Sequence, residues 1–358
     1  MSTEHKEPIA DISAGLSCPM PISDYKQVLL AHGGGGKLSQ QLLEKFFFPQ
    51  LGNEFLAQQH DGAMLSIGGN RLAFSTDSYV VNPIFFPGGT IGDLAVNGTV
   101  NDLSMCGAEP KYLSCGFIIE EGLPMEDLWR VILSMKEAAE KAGVLIVTGD
   151  TKVVDRGKGD KLYINTAGIG FIPEGIELLP KNVQPGDVVI LSGDIASHGI
   201  AIMSVREGLE LDSPIVSDSA PLNGLVRSML NVCKNIRVMR DATRGGVASA
   251  LNEIASAARI GIVIDQKKIP ISDDVKGACE ILGFDPLYVA NEGRLVAFVP
   301  PQEAEQVLGA MRDHPLGVRA DIIGTVTADH PGVVLMRSTI GGTRVVDMLS
   351  GEQLPRIC

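Results

Sequence analysis

The chain has 358 residues, 45% of them hydrophobic, and a formal net charge of −13 at pH 7. This length and composition are enough for a large core and suggest two domains. The acidic charge argues against nucleic acid or an anionic membrane as the main partner, and no apolar run approaches the roughly 20 residues of a membrane span.

A run of four glycines follows the N-terminal segment. Residues 1–25 contain three prolines and show no clear period, so we expect an irregular arm. The glycine run, with Lys37 behind it, opens a predicted helix that starts at Leu38. Such a loop at a helix N-terminus can cradle phosphate, although the pattern is neither a Walker A motif nor GxGxxG. A plain flexible hinge remains the alternative.

Two aspartates sit at the ends of a predicted hairpin. Residues 61–67 and 71–77 read as strands, and Gly68-Gly69-Asn70 between them is a hairpin signal. Asp61 begins the first strand and Asp77 ends the second, which allows a shared cation site. Ordinary turn aspartates would look the same in sequence.

The next helix carries unusual polar residues. Residues 91–106 have helical periodicity and end at Gly107. Among Leu, Ala, Val and Met, this segment carries four polar side chains: Asp93, Asn97, Asn101 and Asp102. If their face is buried, a metal or hydrogen bonds must satisfy them.

The first half continues with a strand at 112–119, an amphipathic helix at 125–142 and strands at 144–147 and 162–171. The strand at 144–147 is expected to end in a turn, Gly149-Asp150-Thr151-Lys152, that suits a metal–phosphate site or is a solvated ion pair. Prolines and glycines at 173–185 predict a domain boundary. The predicted domains are therefore 26–173 and 174–344, followed by a tail at 345–358.

The second half has a similar α+β make-up. Asp241 to Gly246 enters a predicted helix at 247–258, a plausible anion or metal–nucleotide position. Asn291-Glu292-Gly293 forms a predicted turn before a strand at 294–299. Helices and strands do not alternate as strict βαβ units, so we do not expect a Rossmann sheet.

The C-terminal Pro355-Arg356-Ile357-Cys358 segment ends in a thiol beside a free carboxylate. On a flexible end with little to pack, such a thiol can carry a chemical group. The alternative is a terminal cysteine that has no function. We expect the carboxylate to raise the pKa of Cys358, opposed only by Arg356. The other cysteines, Cys18, Cys106, Cys115, Cys233 and Cys279, form no CxxC pair, which predicts reduced thiols and a cytoplasmic protein.

Several motifs together resemble a known superfamily. Asn101-Asp102-Leu103 followed by Gly107-Ala108-Glu109-Pro110 is similar to the signature of the aminoimidazole-ribonucleotide synthetase (PurM-like) superfamily. The segments at Asp61, Asp77, Asp150 and Asp241 follow in the order that this superfamily shows. With the glycine loop and the terminal cysteine, the chain resembles the carbamoyl dehydratases of nickel–iron hydrogenase maturation from about residue 26 to the end.

The resemblance implies a two-domain α+β fold, a homodimer formed through strand-rich N-terminal domains, and ATP with Mg²⁺ as cofactors. It implies that a carbamoyltransferase, HypF, loads Cys358, that ATP converts the S-carboxamide to an S-cyanate, and that a HypC–HypD scaffold complex receives the cyano group for its iron. The implied metal ligands are Asp61, Asp77, Asp102 and Asp241. The implied catalytic residues are Cys358, Lys152 and Glu292, with Glu292 as the candidate general base. The implied nucleotide-binding residues are Gly33, Gly34, Gly35, Gly36, Lys37, Asn101, Asp150, Thr151, Thr243, Arg244 and Gly245.

Two other functions remain open at this point. One is a different enzyme of the superfamily, similar to thiamine-monophosphate kinase or selenophosphate synthetase, although Cys358 would then be idle. The other is a non-catalytic carrier that only presents Cys358 to partners. A carrier would not hydrolyse ATP.

Overall fold

The computed structural model describes residues 25, 27–209, 215–349, 354 and 356–358. The predicted N-terminal arm lies outside the described residues apart from Tyr25, as does Cys18. The described helices are α1 (Lys37–Leu42), α2 (Phe48–Leu51), α3 (Ile91–Met105), α4 (Met125–Ala142), α5 (Ser197–Arg206), α6 (Asn223–Val232), α7 (Gly246–Ala258), α8 (Asp273–Leu282) and α9 (Ala304–Arg312).

The strands form two large sheets and one short pair. Those of the first half are β1 (Ala63–Ile67), β2 (Asn70–Tyr79), β3 (Phe85–Phe86), β4 (Gly89–Thr90), β5 (Glu109–Glu120), β6 (Leu145–Val154) and β7 (Leu162–Phe171). Those of the second half are β8 (Val188–Leu191), β9 (Val238–Asp241), β10 (Gly261–Asp265), β11 (Leu295–Val299), β12 (Asp321–Thr327), β13 (Val334–Arg337) and β14 (Thr343–Val345).

The first sheet has the order β1-β2-β7-β5-β6, and β1 and β2 form the predicted antiparallel hairpin. Helices α3 and α4 pack on one of its faces, where their apolar side chains join the core. No described element of the chain covers the opposite face, which carries exposed apolar side chains: Phe74, Tyr112, Ile118, Ile169 and Phe171. An open sheet face of this kind indicates a surface that another molecule covers.

The second sheet has the order β14-β13-β10-β12-β8-β11-β9 and is mixed. Strand β11, which lies between β8 and the edge strand β9, is buried throughout, because helices cover both of its faces. The core on the α6 and α9 side is continuous with the core of the first sheet, so the two halves share one hydrophobic interior. The predicted α+β architecture without a Rossmann sheet is confirmed.

Helix α3 forms the wall between the two halves. Thr90 caps its first turn, accepting from the backbone N–H of Gly92 at 2.9 Å, and Gly107 with φ of +75° follows its last turn. Nearly every residue of α3 is buried, including Asn97, Thr99 and Asn101. The side chains of Asn97, Thr99 and Asn101 therefore lie inside the molecule, and each needs a partner there.

Two local predictions are wrong. The Gly149–Lys152 segment is not a turn, because β6 continues through it in parallel register with β5, where Asp150 pairs with Gly116. The tail does not lack packing, because Val346, Ile357 and Cys358 are all buried. Backbone pairing and tertiary contacts override the local sequence at both places.

Candidate active site

Three aspartates from distant parts of the sequence meet at the junction of the two halves. Asp61 precedes β1, Asp102 lies on α3 and Asp241 ends β9. One carboxylate oxygen from each lies within 4.8 Å of the others. The fold therefore brings together three of the four predicted metal ligands, and we call Asp61, Asp102 and Asp241 the carboxylate cluster.

The electrostatics of the carboxylate cluster favour a bound cation. Burial raises the pKa of Asp61 and Asp102 well above the usual range, and burial raises the pKa of Asp241 to about 6. Arg240 compensates in part, since its Nη1 lies 3.0 Å from Asp61 Oδ1. Asp61 Oδ2 is buried without a hydrogen-bond partner among the described residues. Oxygen donors with an unsatisfied buried atom fit a hard divalent ion such as Mg²⁺.

Asp77 lies beside the carboxylate cluster. Its negative charge contributes to the raised pKa of both Asp102 and Asp241, so it lies near both of them. One of its oxygens already accepts from the backbone N–H of Ser78 at 2.7 Å. Asp77 is thus placed to join a cation site as a peripheral ligand or to repel anions from its edge.

The terminal thiol lies at the same junction. Cys358 is only 8% exposed, and its terminal carboxylate accepts from the backbone N–H of Val80, just past β2, at 2.9 Å. Burial raises the pKa of the Cys358 thiol, with Arg244 opposing and Glu292, Asp77 and Asp241 adding to the rise. The chain end therefore sits among the acidic residues, with Arg244 as the neighbouring cation.

Arg356 does not oppose the rise in the thiol pKa, contrary to the prediction. Its Nε donates to the carbonyl of Val80 at 3.0 Å, and its Nη1 pairs with Asp160. The guanidinium therefore fixes the tail to the first half of the molecule. Arg244, from the loop before α7, takes the place that sequence proximity suggested for Arg356.

Glu292, the predicted general base, is a buried carboxylate with an unpaired oxygen. It is 3% exposed, and its Oε1 has no hydrogen-bond partner among the described residues. Burial raises its pKa well above the usual range, and the charges of Asp241 and Asp218 raise it further. A carboxylate with a raised pKa is a stronger base once ionised. The charge of Glu292 also contributes to the raised pKa of the Cys358 thiol, so the predicted base lies near the chain end.

The glycine loop packs on the loop that carries Arg244. Arg244 Nη1 donates to the carbonyl of Gly33 at 3.1 Å, and Ser249 Oγ donates to the carbonyl of Gly35 at 3.1 Å. A Cβ on Gly35, whose φ is +73°, would lie 2.8 Å from Arg244 Cβ. With Gly34 and Gly245, these loops line a crevice that the tail residues Leu354 and Ile357 complete.

Three predicted nucleotide-binding positions have other contacts: Gly36, Lys37 and Thr243. Lys37 Nζ pairs with Asp347 at 2.6 Å on the surface, so it does not reach over the cluster. The backbone N–H of Lys37 bonds to Leu349, against which Gly36 packs. The carbonyl of Thr243 accepts from the N–H of Gly246 in the turn before α7.

Asn101 is not free to bind a nucleotide. Its Nδ2 donates to the carbonyls of Ala220 and Glu292, at 3.1 and 3.3 Å, and its Oδ1 accepts from the N–H of Leu222 at 2.7 Å. The amide is therefore fully used in joining α3 to the second half. Its role is structural in this conformation, because it holds the backbone on which Glu292 lies.

Asp150, Thr151 and Lys152 do not join the site within one chain. All three are exposed, and Lys152 Nζ pairs with Asp150 at 2.6 Å. Two strands separate β6 from β2, which carries Asp77, so the two strands lie about 14 Å apart at the usual spacing. The predicted role of these residues in the same chain's site is not supported.

Comparison with known proteins agrees with this arrangement. Residues 59–172 match the family model of the AIR synthase related protein N-terminal domain, and residues 184–336 match the C-terminal domain. The chain is 53% identical over 348 residues to carbamoyl dehydratase HypE of Rhizobium leguminosarum bv. viciae, covering 95% of this chain and 99% of that protein. It is 49% identical to the Escherichia coli K12 HypE, covering 92% and 99%.

The chain belongs to the HypE family of carbamoyl dehydratases. A solved HypE–HypF complex superposes with a TM-score of 0.82 at 48% identity, covering 86% of this chain and 99% of that one. A HypE structure in complex with ATP gives 0.79 at 47% identity, covering 93% and 100%. The predicted family and enzyme class are confirmed, and with them a role in hydrogenase maturation.

The thiamine monophosphate kinase of Aquifex aeolicus, at 18% identity, covers 84% of this chain and 97% of that one, and its TM-score of 0.63 shows the shared fold alone. Within the residues that the structure describes, no helix is long and apolar enough to cross a membrane.

Two side chains at the candidate site of this HypE-family chain are not evident from the sequence alone: Arg240 and His198. Arg240 pairs with both Asp61 and Glu253 beside the cluster, and its position next to Asp241 was the only local signal. His198 contacts the tail backbone, and an isolated histidine in an apolar helix reads as a core residue. Neither could be assigned without the fold.

Proposed function

We propose that this protein converts a carbamoyl group on the thiol of Cys358 to a thiocyanate with ATP, supplying the cyanide ligand of the hydrogenase iron. The burial of Cys358 beside Arg244, Glu292 and the carboxylate cluster is the observation that carries this proposal. A group on that thiol would lie where cation, base and metal ligands converge. A mere carrier would need only an accessible thiol.

The chemistry needs an oxygen removed from an S-carboxamide. The oxygen attacks the γ-phosphorus of ATP, ADP leaves, and one N–H proton is lost; phosphate then leaves the carbon as the second N–H proton is lost. The balance is S-carboxamide plus ATP giving S-cyanate, ADP, phosphate and one proton. Phosphorylation turns a poor leaving group into a good one, which explains why ATP is required.

The residues divide this work by their charges. Glu292, buried and unpaired at Oε1, takes an N–H proton from the carboxamide. Arg244, the cation next to Cys358, stabilises negative charge that develops near the sulfur. Asp61, Asp102 and Asp241, with Asp77 beside them, would hold Mg²⁺, which neutralises phosphate charge when bound. The Gly33–Gly36 loop and the Thr243–Gly245 loop would contact the nucleotide.

We infer a homodimer from the open face of the first sheet. Strand β6 is exposed from Leu145 to Val153, and its large apolar side chains Leu145, Val147 and Val153 are 58–66% exposed. An unpaired apolar edge strand is a pairing surface. A second copy on this face would cover it, and we propose that Asp150, Thr151 and Lys152 act in the partner subunit's site.

HypF is the proposed donor partner, supported by the solved complex of a 48% identical HypE with HypF. The HypC–HypD scaffold is proposed as the acceptor, because the S-cyanate must reach iron. A cytoplasmic location is proposed because the described cysteines, four of them besides Cys358, are free and buried, as in proteins of reducing compartments.

Intact mass spectrometry tests the proposal. The protein is incubated with HypF, carbamoyl phosphate and ATP, first without Mg²⁺ and then with it. We expect a mass increase of one carbamoyl group that converts to that of one cyano group, and neither should occur when Cys358 is deleted. A carbamoyl adduct that ATP and Mg²⁺ never convert would leave only the carrier function.

A further inference from the structure

The described part of the tail docks along one helix of the second half. Helix α5 contacts three tail residues in succession: Leu354 lies 3.1 Å from where a Cβ on Gly199 would be, Arg206 Nη2 donates to the carbonyl of Arg356, and His198 Nε2 lies 2.8 Å from the carbonyl of Ile357. The His198 contact is the one adjacent to Cys358. Among the contacts of α5 with the tail, it is therefore the one nearest in sequence to the reacting thiol.

The hydrogen bonds of His198 determine its tautomer. A carbonyl can only accept, so Nε2 must carry the proton that it donates to Ile357. Nδ1, 2.8 Å from Ser217 Oγ, then accepts the hydroxyl proton. Ser217 Oγ in turn accepts from the N–H of Ser219 at 3.0 Å, which leaves its hydroxyl hydrogen directed at the ring. Every atom in this chain of contacts has one consistent role.

The ring is held rigidly and is kept neutral. His198 is fully buried, and Phe86 packs edge-on against it with ring centroids 5.5 Å apart. Burial lowers its pKa, despite the nearby charge of Asp218. The next residue after Ser217, Asp218, accepts from the backbone N–H of Glu292 at 3.1 Å. Consecutive residues thus position the tail anchor and the proposed base.

We propose that His198, oriented by Ser217, is a positioning residue that anchors the docked tail so that the group on Cys358 meets Glu292. The inference rests on the proposed function, since it concerns the step after carbamoylation. His198 touches the backbone of Ile357 and takes no part in bond making. Its loss should undock the tail without removing any reacting group.

The test compares His198→Leu, which removes the donor at similar volume, with His198→Gln, whose side-chain amide can still donate. His314→Leu, at a histidine near α9, is the matched control. Two rates are measured by mass spectrometry: alkylation of Cys358 by iodoacetamide in the free protein, and conversion of carbamoylated protein by ATP and Mg²⁺ in a single turnover.

We expect His198→Leu to speed alkylation and to slow conversion, each by about three- to ten-fold, as for one lost hydrogen bond. His198→Gln should recover most of both rates, His314→Leu should match wild type, and carbamoylation by HypF should not decrease. Unchanged alkylation in His198→Leu, or equal defects in the glutamine variant, would overturn the anchor.

If His198→Leu does not fold, Ser217→Ala replaces it, with the same direction expected and unchanged alkylation overturning the inference. The two proposals fail separately. If wild-type adducts never convert, the proposed function is wrong, yet the alkylation comparison still decides whether His198 holds the tail.

Discussion

The terminal carboxylate of Cys358 accepts a 2.9 Å hydrogen bond from the backbone N–H of Val80, three residues beyond Asp77. This hydrogen bond holds the chain end at the end of β2, the strand that carries Asp77 beside the carboxylate cluster. Because this carboxylate belongs to the same residue as the thiol, we expect the position of the thiol to depend on the hydrogen bond from Val80.

A one-residue extension tests this dependence. Adding a glycine after Cys358 replaces the charged acceptor with a neutral carbonyl and adds buried atoms. Charge-assisted hydrogen bonds contribute about 1.5–3 kcal/mol, so we expect conversion to fall about ten-fold or more. Carbamoylation by HypF should be retained. Single-turnover mass spectrometry measures both steps, and equal conversion in the extended chain would contradict the role of Val80.

Asp241→Asn should separate stability from cation binding. Burial raises the folded-state pKa of Asp241 to about 6 from 3.8. The free energy of unfolding therefore decreases as pH rises between these two values, and the loss above pH 6 is on the order of 2–3 kcal/mol. We expect the asparagine variant to have a higher Tm than wild type without metal at pH 7.5.

The same reasoning gives a pH dependence for metal binding. Mg²⁺ requires the ionised cluster, so it should raise the Tm of wild type more at pH 7.5 than at pH 5, and raise that of Asp241→Asn little at either pH. Asp265→Asn, at a surface 3-10 turn, is a matched control that should respond to Mg²⁺ as wild type does. Equal Mg²⁺ stabilisation of Asp241→Asn and wild type would exclude Asp241 as a ligand.

Local sequence patterns predicted most of the helices and strands, but only part of the candidate site. Hydrophobic periodicity located α4 and β7 to the residue, because their burial alternates as their sequences do. The order of motifs identified Asp61, Asp102 and Asp241. The residues around Asn101 did not show that its amide would form hydrogen bonds with backbone groups of the second half. The turn predicted at Gly149–Lys152 was wrong because the pairing of β6 with β5 is a long-range contact.

Glu292→Gln should abolish conversion while leaving carbamoylation intact. The amide keeps the shape and cannot accept the carboxamide proton, and general-base catalysis contributes about 10²- to 10⁴-fold. In wild type, conversion should rise with pH through a pKa above the usual glutamate range, because burial raises the pKa of Glu292. Single-turnover rates across pH measure both. If the conversion rate of Glu292→Gln falls at low pH in the same way as that of wild type, the base is another group.

Subunit mixing tests whether Lys152 acts across a homodimer. Lys152→Ala and Cys358→Ser should each be inactive in conversion alone, since one lacks the cation and the other the thiol. In a mixed dimer, the intact Cys358 of the first variant meets the intact Lys152 of the second in one of the two sites. We therefore expect mixing, after subunit exchange, to restore up to about half of the activity of a wild-type dimer. Lys111→Ala, at a surface lysine paired with Glu109, should be active without mixing. If Lys152 acted within its own chain, both sites of the mixed dimer would lack one of the two groups, and mixing would restore nothing.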